Sequence, residues 1–129
     1  MEMLIGGHAQ GKLSLARART GFAIEEICNG ESCPLDAVPC QPVVYRLHLL
    51  IRRLLIAGSD PLEWAERLFA ENPDALIVTD EVGYGIVPAD PFERAWREAV
   101  GRVCCLLAQR SERVERVVAG IPQLIKGEQ

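Results

Sequence analysis

The apolar positions of this chain fall into two patterns, short unbroken runs and longer stripes at helical spacing. Met3-Leu4-Ile5, Ala75-Leu76-Ile77-Val78-Thr79 and Arg116-Val117-Val118-Ala119-Gly120 are short runs that break at turn residues, which predicts buried strands. Glu26-Ile27-Cys28 predicts a further short strand before the turn at Asn29-Gly30-Glu31-Ser32. Helices are predicted at Leu13 to Arg19, stopped by Gly21, and at Val43 to Ala57. In the second, Val44, Leu47, Ile51, Leu54 and Leu55 make the buried stripe. Val43, Leu49, Leu50 and Ile56 widen it enough to need cover on two sides, for which another subunit is one source.

Two further helices open with the same signal. Asp60-Pro61-Leu62-Glu63 and Asp90-Pro91-Phe92-Glu93 each place an N-cap acid before a first-turn proline. The first helix runs to Asn72-Pro73-Asp74, and the second to about Ser111 with Phe92, Trp96, Val100, Val103 and Leu107 inward. Gly101 interrupts that helix, for which close packing on a strand is the expected reason. Residues 30–42 carry Pro34, Pro39 and Pro42 without periodicity and are expected to be loop. Ile121-Pro122 is expected to end the last strand, leaving a polar tail at Lys126-Gly127. Hydrophobic strands alternating with helices predict an α/β fold with a mostly parallel sheet. The 129 residues suit a single domain, 1–129.

Composition narrows the classes of function. A formal net charge of -4 argues mildly against a general nucleic-acid surface, which would normally need a basic patch. No apolar run reaches transmembrane length, and Met1-Glu2-Met3 leads into Leu4-Ile5 without the pattern of an export signal. Five cysteines at 28, 33, 40, 104 and 105 show no metal-type spacing, so reduced thiols in a cytoplasm are expected. Cys33 and Cys40 could be a metal pair, but lack a second pair of ligands nearby. Cys104 and Cys105 are expected to pack as small apolar side chains.

The candidate chemistry sits at two strand ends. Gly6-Gly7-His8-Ala9-Gln10-Gly11-Lys12 follows the first strand and precedes the first helix. It matches a phosphate-binding loop up to its final position. Such a loop needs glycines so that backbone N–H groups can wrap phosphates, a lysine for charge, and a helix N-terminus aimed at the anion. The final position calls for Ser or Thr, whose hydroxyl helps to hold Mg²⁺, and here it is Leu13. Ser14 is roughly 100° further round the helix and does not replace it. The second strand end is Asp80-Glu81, where ligands of open α/β sheets collect. These acids could hold a metal or a ribose, accept a proton, or simply cap the next turn. His48 shares a helix face with Tyr45 and Arg52, and suits a partly buried structural residue better than a catalytic one.

Taken together, Gly6-Gly7-x-x-x-Gly11-Lys12, Asp80-Glu81-Val82-Gly83-x-Gly85-Ile86-Val87-Pro88, Trp96-Arg97-x-x-x-Gly101-Arg102 and Val117-Val118-Ala119-Gly120-Ile121-Pro122 carry a resemblance. They resemble the adenosylcobinamide kinase/adenosylcobinamide-phosphate guanylyltransferase family of cobalamin synthesis. The resemblance implies a three-layer, RecA-like P-loop fold and nucleotide-dependent phosphorylation of a cobinamide-type corrinoid. It further implies GMP transfer through a guanylylated histidine, and a homo-oligomer, usually a trimer. By the same resemblance Gly6, Gly7, His8, Ala9, Gln10, Gly11, Lys12, Leu13 and Ser14 would bind the nucleotide. Lys12, Asp80 and Glu81 would be catalytic, with Asp80 and Glu81 as the metal ligands. The implied ligands are GTP or ATP with Mg²⁺, and Leu13 counts against the Mg²⁺. The chain is also shorter than a typical member after its first helix, and the segment that carries the guanylylated histidine has no counterpart in it. An alternative is a relative that only binds a nucleotide or corrinoid, as regulator or partner.

Overall fold

Among the described residues six strands form one sheet in the order β2-β3-β4-β1-β5-β6. The structure is a computed structural model and describes residues 1–82 and 89–128. The signature residues Gly83, Gly85, Ile86, Val87 and Pro88 therefore lie outside the described residues. The elements are β1 (Glu2–Gly6), α1 (Lys12–Thr20), β2 (Ile27–Asn29), β3 (Val43–Tyr45), α2 (Leu47–Ile56), α3 (Pro61–Glu71), β4 (Leu76–Asp80), α4 (Pro91–Arg110), β5 (Arg113–Val118) and β6 (Ile121–Lys126). All pairings among β2, β3, β4, β1 and β5 are parallel, and β6 returns antiparallel on β5.

The sheet is covered on both faces, which makes three layers. On one face Ala16 of α1 packs with Leu4, Val43, Leu76, Val78 and Val117. On the other, alternate strand residues Met3, Val44, Ile77 and Val114 meet α2, α3 and α4 through Leu47, Ile51, Leu68, Val103 and Leu107. Successive strand side chains point to opposite faces, so a central strand must be apolar throughout to be covered on both. β4 meets that demand, with residues 76–79 all buried.

The helix starts follow the sequence signals. Asp60 accepts the Leu62 N–H at 3.0 Å and Asp90 accepts the Phe92 N–H at 2.8 Å, each before a proline in the first turn. Gly21 closes α1 in the left-handed region at φ 69.

Several expectations need correction. The helix expected from Val43 is a strand followed by a helix: Val43–Tyr45 pairs with β2 and β4, and Arg46 turns the chain with φ 58. The polar tail is instead β6, joined to β5 by Ala119 and Gly120, both at positive φ as a two-residue hairpin turn requires. Pro122 is accommodated because β6 is an edge strand. β4, α3 and α4 of the same chain cover Leu47, Leu50, Ile51 and Leu54 of α2, while Leu49 and Leu55 stay half-buried and Ile56 is exposed. A Cβ at Gly101 would meet none of the described residues, so no described strand packs there. Cys105 is exposed rather than packed.

Gly6 is the glycine the sheet cannot lose. A Cβ on it would collide with the carbonyl oxygen of Val117 on β5. Gly6→Ala is expected to cost about 2 kcal/mol or more, because a backbone atom cannot move aside as a side chain can. Thermal unfolding checks this, and an unchanged melting temperature would refute it.

Candidate functional site

The parallel strands deliver their carboxyl ends to one edge of the sheet, and the neighbours there are β3, β4 and β1. β1 leads into the glycine loop, β4 ends in Asp80, and β3 ends at Tyr45-Arg46. A cleft of about 530 Å³ lies across these three ends. Its walls are His8 to Ser14 from the loop and α1, and Tyr45, Arg46, His48 and Leu49 from the β3–α2 junction, with Glu31 and Asp80 completing it.

The loop is shaped by left-handed residues, Ala9 at φ 56 and Gly11 at φ 83. It is braced from behind by the β5–β6 turn. The Ala119 N–H donates to Oε1 of Gln10 at 2.6 Å, and the Gly120 N–H donates to the Gln10 carbonyl at 2.8 Å. The first intrahelical bond of α1 runs from the Leu15 N–H to the Gly11 carbonyl. The amides of Lys12, Leu13 and Ser14 thus belong to the open first turn, where an anion finds donors and the positive end of the helix dipole.

Lys12 is buried, with 5% of its side chain exposed. Its ammonium donates to the Gly7 carbonyl at 2.6 Å and to Oδ1 of Asp80 at 2.7 Å. The other oxygen of Asp80 faces two imidazoles, Nε2 of His48 at 3.4 Å and Nδ1 of His8 at 3.5 Å. Burial pushes the Asp80 carboxyl up, but the Lys12 hydrogen bond and the His48 and Lys12 charges outweigh it and hold the pKa below the ordinary value. Burial lowers the pKa of His48 more than Asp80 raises it, so the ring is neutral near pH 7. Its Nδ1 accepts the Asp80 backbone N–H at 3.2 Å, which leaves the ring proton on Nε2, aimed at the Asp80 carboxylate. Trp96 of α4 fixes this corner by donating from Nε1 to the His48 carbonyl at 2.8 Å.

Of the residues expected to act together, His8 to Ser14 and Asp80 share the cleft, whereas Gly6 and Gly7 do not line it: Gly6 ends β1, and the Gly7 carbonyl accepts from Lys12. Glu81 does not join them. Its carboxylate takes both Nε and Nη2 of Arg116 at 3.0 and 3.3 Å, and it lines a second cleft of about 360 Å³ with Ile5, Val82 and Cys104, which Asp80 borders as well. Sequence reasoning missed Tyr45, Arg46 and Glu31 as site residues, and underrated His48. The β-branched and aromatic run Val43-Val44-Tyr45 was the available signal, since a strand there would end at the same sheet edge.

The donor set does not fit Mg²⁺. Leu13 stands at the hydroxyl position, Glu81 is tied to Arg116, Asp80 is committed to Lys12 and faces two imidazoles, and the other cleft carboxylate, Glu31, is paired with Arg46. Among the described residues no three His, Cys, Asp or Glu side chains are grouped to hold a metal ion, and the sequence has no acid at 83–88.

A mostly parallel three-layer sheet with a glycine loop between its central strand and first helix defines a protein of the P-loop fold class. The sequence model of the family described as Cobinamide kinase / cobinamide phosphate guanyltransferase matches residues 58–125. The chain belongs to that family. It is 38% identical to the bifunctional adenosylcobalamin biosynthesis protein CobP of Pseudomonas aeruginosa over 53 residues, 41% of this chain and 31% of that protein. It is 30% identical to the bifunctional adenosylcobalamin biosynthesis protein CobU of Salmonella typhimurium over 122 residues, 80% of this chain and 65% of that protein. The chain thus spans less than two thirds of the length of either relative. The family match covers α3 to β6, and the glycine loop falls outside it.

Proposed function

We propose that this chain binds the phosphates of GTP or ATP in the loop cleft and phosphorylates the hydroxyl of a cobinamide-type corrinoid. The observation that carries this reading is the buried Lys12–Asp80 pair, set where the glycine loop meets the end of β4. A lysine held there, on the wall of the cleft, is positioned to exchange its carboxylate for a phosphate. When it does, the strongest influence lowering the Asp80 pKa is removed, and burial then raises it. Asp80, steadied by the Nε2 proton of His48, becomes a better proton acceptor. The substrate hydroxyl oxygen attacks the γ-phosphorus as Asp80 takes its proton. The bond from that phosphorus to the β,γ-bridging oxygen breaks, and the nucleoside diphosphate leaves.

Guanylyl transfer is not included. Both ring nitrogens of His48 are engaged, and His8 is an exposed loop residue. A homo-oligomer belongs to the proposal, and the exposed Val118, Ile121 and Ile125 of the β5–β6 hairpin are the apolar surface it would cover. Among the described residues no helix is long and apolar enough to cross a membrane, and a cytoplasmic site of action, where nucleoside triphosphates are abundant, is part of the same reading.

The test is incubation with GTP or ATP, Mg²⁺ and adenosylcobinamide, with mass spectrometry of the corrinoid. A phosphorylated product that is lost in Asp80→Asn supports the kinase. No product at high protein concentration, with nucleotide binding intact, favours a second reading, a nucleotide- or corrinoid-binding partner without turnover. Leu13 is the observation that favours this alternative.

A further inference from the structure

A nucleoside triphosphate carries several negative charges into the cleft, and the residues around it do not offer the ligands that a divalent cation needs. The charge must then be met by side chains. Lys12 supplies one cation. The other fixed cation on the cleft wall is Arg46, at the end of β3, with Asp80 between the two.

Arg46 is held in an unusual way. It caps α2 in the left-handed region, φ 58 and ψ 46, a conformation that L side chains rarely adopt. The surrounding structure over-determines it. The Gly30 N–H donates to the Tyr45 carbonyl at 2.7 Å. Gly30 has to be glycine, since a Cβ there would strike the Arg46 carbonyl oxygen. That same oxygen accepts the Leu49 and Leu50 N–H groups at 3.1 and 3.2 Å. The guanidinium lies 5.0 Å from the centroid of the Tyr45 ring and pairs with Glu31, whose side chain is 57% exposed. An exposed ion pair of this kind is weak and readily exchanged. The chain therefore holds a guanidinium beside the cleft from a left-handed position, stacked on Tyr45 and paired with a weak rival anion.

We propose that the cleft takes the polyphosphate of a nucleoside triphosphate without a divalent cation, with Arg46 leaving Glu31 to share the phosphate charge with Lys12. This rests on the reading of the cleft as a nucleotide site. Arg presents a planar fork of donors that suits a phosphate better than a point charge.

The test is calorimetry of GTP and of ATP with the full chain, in Mg²⁺ and in EDTA. Affinities in the two buffers are expected to agree within about threefold, because no ligand depends on the ion. Arg46→Gly suits the backbone conformation, so its melting temperature should match or exceed that of the unsubstituted protein. Its affinity in EDTA should nevertheless fall by about tenfold, the loss of one charge-assisted contact. Glu31→Gln removes the rival anion and should tighten binding by roughly threefold. Binding that appears only with Mg²⁺, or an Arg46→Gly affinity unchanged in EDTA, would overturn the proposal and leave the nucleotide reading standing. Absence of binding in both buffers would remove the nucleotide reading itself, and this proposal with it.

Discussion

Lys12→Ala is expected to weaken nucleotide binding by at least about hundredfold, the loss of a buried charge-assisted contact in a site that concentrates anionic charge. Lys12 is almost fully enclosed, and its partners are one carbonyl and one carboxylate. Without it Asp80 keeps its burial and loses its closest cation, so the Asp80 pKa should rise where now it is depressed. The loop backbone should be little disturbed, because Gln10 holds it to the Ala119–Gly120 turn independently of Lys12. The two readouts separate the causes. Calorimetry reports the phosphate contact, and a carboxyl-carbon NMR titration reports Asp80. Retained affinity, or an Asp80 titration that does not move upward, would mean that this lysine is not the phosphate ligand.

The legible parts of the fold were those whose signals are local. β1, β4 and the caps of α3 and α4 follow from continuous apolar runs and from Asp-Pro starts. β3 was hidden because its valines join the helical stripe of α2 without a glycine or proline between them. The break is Arg46, a residue type that gives no sequence cue for positive φ. β6 was hidden by Pro122, which ordinarily argues against a strand and is tolerated only because nothing pairs beyond that edge. The site divides in the same way. The glycine loop could be seen because its residues are adjacent, whereas the grouping of His48, Arg46 and Glu31 with Asp80 depends on β3 lying next to β4. Asp80 and Glu81 could not be told apart in sequence. Adjacent residues at a strand end diverge, and the structure sends one to Lys12 and the other to Arg116.

Lowering the pH should unfold this protein through a residue remote from the cleft. Glu115 on β5 is buried, with 3% of its surface exposed. Its carboxylate receives both terminal nitrogens of Arg19, Nη2 to Oε2 at 2.8 Å, and Nε of Arg113 at 2.9 Å. The Arg19 hydrogen bonds, with those of Arg113, hold its pKa at about 2 against an ordinary 4.5. A depressed carboxyl pKa contributes stability that is fully present above pH 4.5 and is lost as the pH falls toward 2. The shift corresponds to about 3 kcal/mol. Glu115→Gln keeps the shape and removes the charge, which leaves two guanidiniums around a neutral amide. It is expected to cost a similar amount, about 3 kcal/mol at neutral pH, and nearly nothing at pH 2, where the native residue is itself losing its charge. Urea unfolding across that range measures the difference, and a cost that is constant with pH would show that packing, not charge, is what Glu115 supplies. The consequence reaches the site, because Arg19 lies in the last turn of α1 and Lys12 in its first. The ion pair fastens to β5 the helix that presents its amides to the anion, so Glu115→Gln should also weaken nucleotide binding modestly, with no contact to the ligand removed.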